Sequence, residues 1–376
     1  MRAAALVSIA IAASAVLVQA ATLHVPLQYA TIQPALDAAS AGDTVLVAPG
    51  TYTGSSNRNL AFSKPLVVRS EAGPEMTTID VEGNESNPGR GFLITSSAVG
   101  PETVLEGFTI RNGFMADSTA AATRHQSDVK HDLSGAGIML RFSASPTIRN
   151  CIIRSCHSDF TGGGIGVEFG AAPRIENCVV TACTAGFTGG AISVETGAAP
   201  TLVGCTFTGN RAREGGGAHF GGAVTQVTSC LFAGNTGENR GGGVDAIFGT
   251  TLTLERSVVW NNCSANGADL FADPAIALPN GGALQLACSA VDTTLVSDGG
   301  GVIEWTGENV FTDPGFCDPA ACAIAPTSAG VYGVVDSSAM LADNNACGEK
   351  IGPQEVGCTT AVEESSWGGI KSIYRR

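Results

Sequence analysis

Charged side chains recur at a fixed interval through the middle of the sequence. Arg141, Glu168 and Glu195 occupy the same position in three successive segments of equal length. Paired carboxylates can act as acid and base in glycoside hydrolysis, and a basic residue near acids can serve in elimination. Arg141, Glu168 and Glu195 are therefore the catalytic candidates. The favoured interpretation is an exterior ladder of surface ion pairs, each worth less than about 1 kcal/mol.

A second charged group falls at one corner of successive repeats. It contains Glu214 and four candidate binding residues, which are Arg211, Arg213, Glu238 and Arg240. These residues could form a small polar binding strip. A charged surface ridge explains them equally well.

A third set of polar residues lies in an insertion, residues 113–134, that interrupts the repeat. Long loops on a rigid scaffold often carry function. The candidate binding residues here are His125, Asp128, His131 and Asp132. A solvated loop without a ligand is the favoured interpretation.

An internal repeat extends through the middle of the sequence, around these groups of charged residues. The segment from Phe160, FTGGGIGVEFGAAPRIENC, aligns without a gap on the segment from Phe187, FTGGAISVETGAAPTLVGC. Each copy is rich in β-branched residues and contains Gly and Ala-Pro turns, which predicts short strands. A unit this short must stack on its neighbours to bury an apolar face. The repeat therefore predicts an all-β fold, a single-stranded parallel β-helix with one coil per copy.

Stacked coils place equivalent residues in columns. One predicted buried ladder contains the cysteines Cys151, Cys178, Cys205 and Cys230. A second ladder, slightly later in each copy, contains the asparagines Asn112, Asn210, Asn235 and Asn262. Neighbouring sulfurs can meet, but parallel Cβ vectors suit disulfides poorly, so a reduced ladder is favoured. A third column, interior and apolar, contains Ile138, Ile165, Ile192, His219 and Val244. Its position predicts that His219 is a core residue with a satisfied ring.

Composition narrows the functional classes. The net charge of −14 argues against a nucleic-acid partner, because phosphate binding needs a cationic face. Residues 1–20 have the positive start, apolar run and small residues of a secretory signal peptide. No later segment is long and apolar enough to span a membrane, so we expect a secreted or cell-surface protein. No zinc spacing occurs, and we expect no cofactor, although the acidic surface is compatible with calcium.

These features resemble a known group of proteins. The spacing in GGAISV and CTFTGN is similar to the repeat of the polymorphic outer-membrane proteins. Over residues 22–358 the chain resembles pectin-lyase-like, right-handed parallel β-helix proteins of bacteria. The segment from Tyr29, YATIQPALDAASAGDTVLVAPGTYTG, predicts a short helix capped by Thr31 that covers the open end of the β-helix. The resemblance implies fold but not activity, since this superfamily includes lyases, hydrolases, esterases and adhesins.

The segment after Asn309 departs from the repeat. We expect a C-terminal cap with disulfides Cys317–Cys322 and Cys347–Cys358, both closing short loops. The last residues, 361–376, are predicted to be a sorting signal or a disordered tail. The expected organisation is thus a signal peptide, an N-terminal cap with the first coil, a β-helix, a C-terminal cap and a tail: 1–20, 21–54, 55–308, 309–360 and 361–376.

Two functions remain in competition. The favoured one is a non-enzymatic adhesin-like, structural or ligand-binding protein, whose partner would be an extracellular glycan or a cell-surface component. The alternative is a polysaccharide lyase or glycoside hydrolase that uses Glu168 or Glu195. The hydrolase patterns of this superfamily have no match at the required positions, and aromatics are only 6% of the chain. Both observations favour the non-enzymatic hypothesis.

Overall fold

The computed structural model describes residues 19–116, 133–247, 249–264, 276–278, 282–292, 296–297 and 301–358. Within this part, the coils build four sheets of 11, 9, 6 and 8 short strands, and every strand pairing in those sheets is parallel. The predicted all-β, parallel β-helix fold is confirmed. Among the described residues, the structure contains no helix whose length and hydropathy suit a membrane crossing.

The first and second sheets form two sides of each coil. The first sheet contains Thr22–Val25, Thr44–Val47, Val67–Ser70, Val104–Glu106, Thr147–Arg149, Arg174–Glu176, Thr201–Val203, Val224–Thr228, Thr251–Glu255, Ala283–Ala287 and Val302–Thr306. The second contains Gly50–Tyr52, Thr77–Asp80, Thr109–Arg111, Ile152–Arg154, Val179–Thr181, Thr206–Thr208, Leu231–Ala233, Val258–Trp260 and Ala290–Val291.

The third and fourth sheets complete the coils. The third contains Phe114–Met115, His157–Ser158, Thr184–Thr188, Arg211–Glu214, Thr236–Arg240 and Cys263–Ser264. The fourth contains Phe92–Ile94, Ile138–Leu140, Ile165–Val167, Ile192–Glu195, Ala218–Gly221, Val244–Ile247, Ile276–Ala277 and Val296–Ser297. Outside these sheets lie a short antiparallel pair and three 3-10 turns: Phe316–Asp318 with Val331–Val334; Ser55–Asn57, Cys322–Ile324 and Ala342–Asn344.

The interior is filled by apolar columns that run along the coil axis. In the second sheet, the middle residue of each strand points inward, as in Val180, Phe207 and Phe232, all of which are fully buried. The rings of Phe207 and Phe232 stack with centroids 4.8 Å apart. This distance matches the spacing between neighbouring strands, so each coil packs on the next by its side chains as well as by its backbone.

An asparagine ladder satisfies buried backbone at one turn of the coils. Asn235 Oδ1 accepts hydrogen bonds from Asn210 N and Asn210 Nδ2, at 2.9 and 3.0 Å. Asn235 Nδ2 donates to Asn262 Oδ1 at 2.9 Å and to the Phe207 carbonyl at 2.9 Å. Asn210, Asn235 and Asn262 are all buried. The amides thus link three coils through the interior.

Asn112 does not belong to this ladder, and its predicted place there is wrong. Arg111 pairs with Arg154, so Gly113, not Asn112, aligns with Cys156. A Cβ atom at Gly113 would lie only 1.9 Å from the Ala136 carbonyl oxygen, which leaves no room for a side chain at that point. Asn112 instead takes the adjacent left-handed turn position, with φ 57°.

Two columns of free thiols lie in the core. Cys151, Cys178, Cys205 and Cys230 occupy one column, while Cys156 and Cys183 occupy the position where later coils have asparagine. Burial raises the pKa of the Cys178, Cys183 and Cys230 thiols well above the usual range. These three thiols therefore stay protonated, and all six buried cysteines pack as small apolar side chains.

The N-terminal helix, Ile32–Ala38, buries Ile32, Ala35 and Leu36. Thr31 occupies the N-cap position, as predicted, but its side chain makes no capping hydrogen bond. The Ile32 backbone N–H donates instead to Asn57 Oδ1 at 2.9 Å. A side chain 25 residues later in the sequence thus provides the hydrogen-bond acceptor at the start of the helix. That the helix covers the open end of the coils stays a prediction.

The C-terminal segment has three disulfides, and the pairings predicted for it are wrong. The pairs are Cys263–Cys322, Cys288–Cys347 and Cys317–Cys358. The reason is that this segment lies along the outer side of the second sheet. Its apolar residues Val334, Met340 and Ile351 form one buried cluster with outward-facing strand residues, which are Leu231, Ala233, Val258 and Ala290. Cysteines distant in sequence thereby become neighbours.

Candidate functional site

The predicted catalytic candidates align on successive coils of the fourth sheet, where Arg141 and Glu168 directly follow their strands and Glu195 is the last residue of its strand. Their expected exterior position is wrong, because the Arg141 and Glu168 side chains are only 8% and 1% exposed. Arg141 Nε lies 3.3 Å from Glu168 Oε2. The loops before these strands fold over the outer face of the sheet; a Cβ atom at Gly135 would lie 2.8 Å from the Met139 sulfur.

Glu195, the third candidate, is half-buried and bound by hydroxyl groups. Its Oε1 atom accepts hydrogen bonds from Thr188 Oγ1 at 3.0 Å and from Ser193 Oγ at 2.9 Å. The fold thus places Arg141, Glu168 and Glu195 in one column, but their charged groups contact other groups of the protein and do not face a groove.

His219 lies on the outer side of the fourth sheet. Its predicted place in an interior column is wrong, because the register aligns Ile192 with Ala218 and then with Val244. The repeat shortens at this coil, which shifts His219 by one position. It aligns instead with Ser193 and Asp245. Sequence comparison of the GGAISV and GGGAHF copies by strand position could have revealed this shift.

A buried charge network surrounds His219. His219 Nδ1 lies 2.7 Å from Asp245 Oδ2, and Arg240 Nε donates to Asp245 Oδ1 at 2.8 Å. Arg240 Nη2 lies 2.5 Å from Glu214 Oε2. Because Asp245 is fully buried, the arginine and histidine compensate a carboxylate that water cannot solvate.

Ser193, His219 and Asp245 are the residue types of acyl-transfer catalysis, and they lie on three adjacent coils. Their exposures are 1%, 2% and 0%, and the Ser193 hydroxyl donates to Glu195 and not to the histidine. A polymeric substrate does not reach such groups. The arrangement is a structural polar network.

The predicted binding candidates at the corner separate into two environments. Arg211 Nη2 lies 2.8 Å from Glu238 Oε1, and both side chains are 47% exposed. Arg240 turns inward to the charge network. Arg213 lies over the Phe187 ring, 5.5 Å from its centroid. Within the described part of the chain, no carboxylate lies within 4 Å of the Arg213 guanidinium.

Phe187 belongs to an aromatic stack that sequence reasoning missed. The rings of Phe160 and Phe187 stack at 5.7 Å, with an angle of only 8° between their planes. Phe187 is 37% exposed. Phe160, Phe187 and Arg213 thus form a row of planar groups along the coil axis, here named the aromatic platform. The repeated FTGG motif, which places a phenylalanine at the same position of two successive copies, was the available signal.

The remaining predicted residues and segments lie outside the described residues. These are His125, Asp128, His131 and Asp132 in the insertion, most of the signal peptide and the tail, 361–376. In the described ranges, no group of three or more His, Cys, Asp or Glu residues is arranged to hold a metal ion.

Comparison with known proteins identifies the fold. Residues 66–236 match the family model described as a right handed beta helix region, which is somewhat less than half of the chain. No curated protein matches.

Among solved structures, pectate lyase Pel9A has a TM-score of 0.47 at 12% identity, over 86% of this chain and 90% of that chain. Pectin methylesterase PemA from Erwinia chrysanthemi has a TM-score of 0.33 at 14% identity, over 73% and 80%. The Azotobacter vinelandii mannuronan C-5 epimerase AlgE4 A-module has a TM-score of 0.35 at 15% identity, over 74% and 91%. These scores are too low to carry an argument about this chain. The family match and the four parallel sheets together assign a right-handed parallel β-helix.

Proposed function

We propose that this chain is an extracellular, non-enzymatic β-helix that binds a glycan on the aromatic platform. The observation that carries the proposal is the stacked row formed by Phe160, Phe187 and Arg213, in which Phe187 and Arg213 are exposed and Phe160 is half-buried. Near-parallel rings at about the coil spacing make a flat apolar surface with a cation at one end. Sugar rings present apolar C–H faces and hydroxyl groups, and such ligands need apolar contact with a few polar groups.

The size of the platform also favours a small ring over a protein partner. A stable protein interface buries about 800 Å² on each side, far more than two stacked rings present. One sugar ring per aromatic ring suits the dimensions better. The net charge of the chain, −14, disfavours a nucleic-acid partner for the same surface.

The burial of the catalytic candidates supports a binding function. Glu168 is buried beside Arg141, and Glu195 accepts two hydroxyl hydrogen bonds. An acid or base in catalysis must instead reach the proton that it transfers. For these side chains the structural role has a direct physical reason, which is compensation of buried charge.

The disulfides support an extracellular location. Three pairs connect the C-terminal segment to the coils and to itself, and such bonds persist in oxidising compartments. The apolar leader expected at residues 1–20 is consistent with export, and processing of this leader is part of the proposal.

A glycan panel tests the proposal. The wild-type chain should bind a subset of neutral or uronate-containing polysaccharides, and Phe187→Ala should abolish that binding. Phe311→Ala is the matched control, since Phe311 is 51% exposed and contacts Trp305 away from the platform. Retained binding in Phe187→Ala, or equal loss in Phe311→Ala, would reject the platform as the site.

The enzymatic alternative is tested on the same glycans. Reducing ends and unsaturated uronates are measured with and without calcium. We expect binding without product release. Product formation that disappears in Glu168→Gln or Glu195→Gln would overturn the non-enzymatic proposal.

A further inference from the structure

We propose that Asn84 is an acceptor site for N-linked glycosylation. The whole sequence contains two Asn-X-Ser/Thr triplets, which begin at Asn84 and Asn262. In an exported protein, this triplet marks an asparagine that an oligosaccharyltransferase can modify when the segment lies at the surface. The inference rests on the extracellular location in the proposed function, but it concerns a covalent modification and not the ligand of the platform.

The first triplet lies on an exposed turn between the strands Thr77–Asp80 and Phe92–Ile94. Asn84 and the two residues after it are all exposed. Two backbone hydrogen bonds close the turn, from Asn84 N to the Asn87 carbonyl at 3.2 Å and from Asn87 N to the Asn84 carbonyl at 3.0 Å. Because these bonds lie at the surface, an enzyme can reach the segment and straighten it at small cost.

The side chains of the triplet are arranged for this chemistry. The Ser86 hydroxyl donates a hydrogen bond to Asn84 Oδ1 at 2.7 Å, so the amide and the hydroxyl lie on the same side of the turn. Asn84 Nδ2 donates a long hydrogen bond, 3.3 Å, to the Glu82 carbonyl, and this nitrogen is therefore readily freed. The exposed Glu82 side chain adds an acidic group that a cationic enzyme groove can bind.

The modification balances with one co-reactant, a lipid diphosphate that carries an oligosaccharide. Asn84 Nδ2 attacks the first sugar carbon, and an N–C bond forms while the C–O bond to the diphosphate breaks. The electron pair of that C–O bond leaves with the lipid diphosphate, and Nδ2 gives up one proton. The exporting cell supplies the donor and the enzyme, and this chain supplies the acceptor segment.

The second triplet has the opposite environment. Asn262 belongs to the buried asparagine ladder, and its Nδ2 atom donates to the Phe232 carbonyl at 2.8 Å. Cys263 forms a disulfide with Cys322, and Ser264 is fully buried. A glycan on Asn262 is incompatible with this packing. Of the two triplets, only the first can be an acceptor in the folded chain.

Mass spectrometry of the exported full chain tests the assignment. The chain is expressed with residues 1–20 in a bacterial host that carries an oligosaccharyltransferase and its lipid-linked oligosaccharide. The peptide with Asn84 should carry the mass of the oligosaccharide, whereas the peptide with Asn262 should not. Ser86→Ala should lose the modification at an unchanged urea midpoint, because the triplet requires a hydroxyl group. Ser86→Thr is the matched control, which keeps the hydroxyl group and should keep the modification.

The outcomes separate this inference from the proposed function. An unmodified Asn84 in exported protein, from a host whose enzyme modifies a reference acceptor, would overturn the inference and leave the platform in place. Modification that persists in Ser86→Ala, or that occurs on Asn262 of the folded protein, would also overturn it. Retention of the chain in the cytoplasm would overturn the extracellular location and the modification together.

Discussion

His219 Nδ1 lies 2.7 Å from Asp245 Oδ2, one coil away along the helix axis. The carboxylate is fully buried and also accepts a hydrogen bond from Arg240. The contact joins neighbouring strands of the fourth sheet, and Arg240 extends the network to the third sheet.

Replacement of Asp245 by Ala should destabilise the fold by about 2–3 kcal/mol, because the change removes the hydrogen-bond partner of the buried His219 Nδ1 and one of the two carboxylates that bind Arg240. Urea unfolding measures the loss. Glu238→Gln, which breaks the exposed pair with Arg211, is the control and should cost less than about 1 kcal/mol. Equal losses would contradict the buried network.

The asparagine ladder predicts a large effect at its centre. Asn235→Ala should cost about 3 kcal/mol, because the Asn210 N–H and the Phe207 carbonyl lose their partner in the interior. Asn84→Ala is the comparison, since Asn84 is exposed and its side-chain oxygen bonds only to Ser86 nearby. A loss at Asn235 no greater than at Asn84 would show that water replaces the ladder.

The free thiols should resist alkylation in the native protein. Burial raises the pKa of Cys178, Cys183 and Cys230 above the ordinary 9.0, so these thiols stay protonated where an exposed thiol would ionise. Because all six free thiols are also buried away from the reagent, iodoacetamide at pH 9 should label no cysteine of the folded chain and six after denaturation without reductant: Cys151, Cys156, Cys178, Cys183, Cys205 and Cys230. Fewer than six would show that some ladder sulfurs are oxidised.

The disulfide that joins the C-terminal segment to a coil turn should stabilise the whole protein. The double variant Cys288→Ser, Cys347→Ser should lose about 2–4 kcal/mol, because the pair closes a long loop. Peptide mapping of the wild type should recover Cys288 joined to Cys347. Recovery of Cys347 joined to Cys358 would instead restore the short-loop pairing.

The sequence predicts the parallel stacking of the coils more clearly than it predicts the register of their strands. The short, regular repeat predicted parallel coils, because only stacking can bury the apolar face of so small a unit. One coil is shorter than those before it, so His219 lies one strand position away from its predicted place. In another coil, the ladder position is taken by Gly113, which has no space for a side chain, so Asn112 lies outside the ladder. Strand register depends on local packing distances, and the length of the repeat does not give these distances.

The site was harder to predict for a related reason. Charges at Arg141 and Glu168 suggested an exterior ladder, yet both side chains are buried. The aromatic platform was visible only as two phenylalanines one repeat apart. Whether such rings meet depends on the coil spacing and on the corner geometry, and only the structure supplies both.

The affinity of a bound hexasaccharide before and after removal of the platform rings is the most direct test of the central claim. Calorimetry with cellohexaose and hexagalacturonate should show binding of at least one by the wild type. The double variant Phe160→Ala, Phe187→Ala should weaken that binding tenfold or more, at an unchanged fold by circular dichroism. Unchanged affinity in the double variant would contradict glycan recognition by the platform.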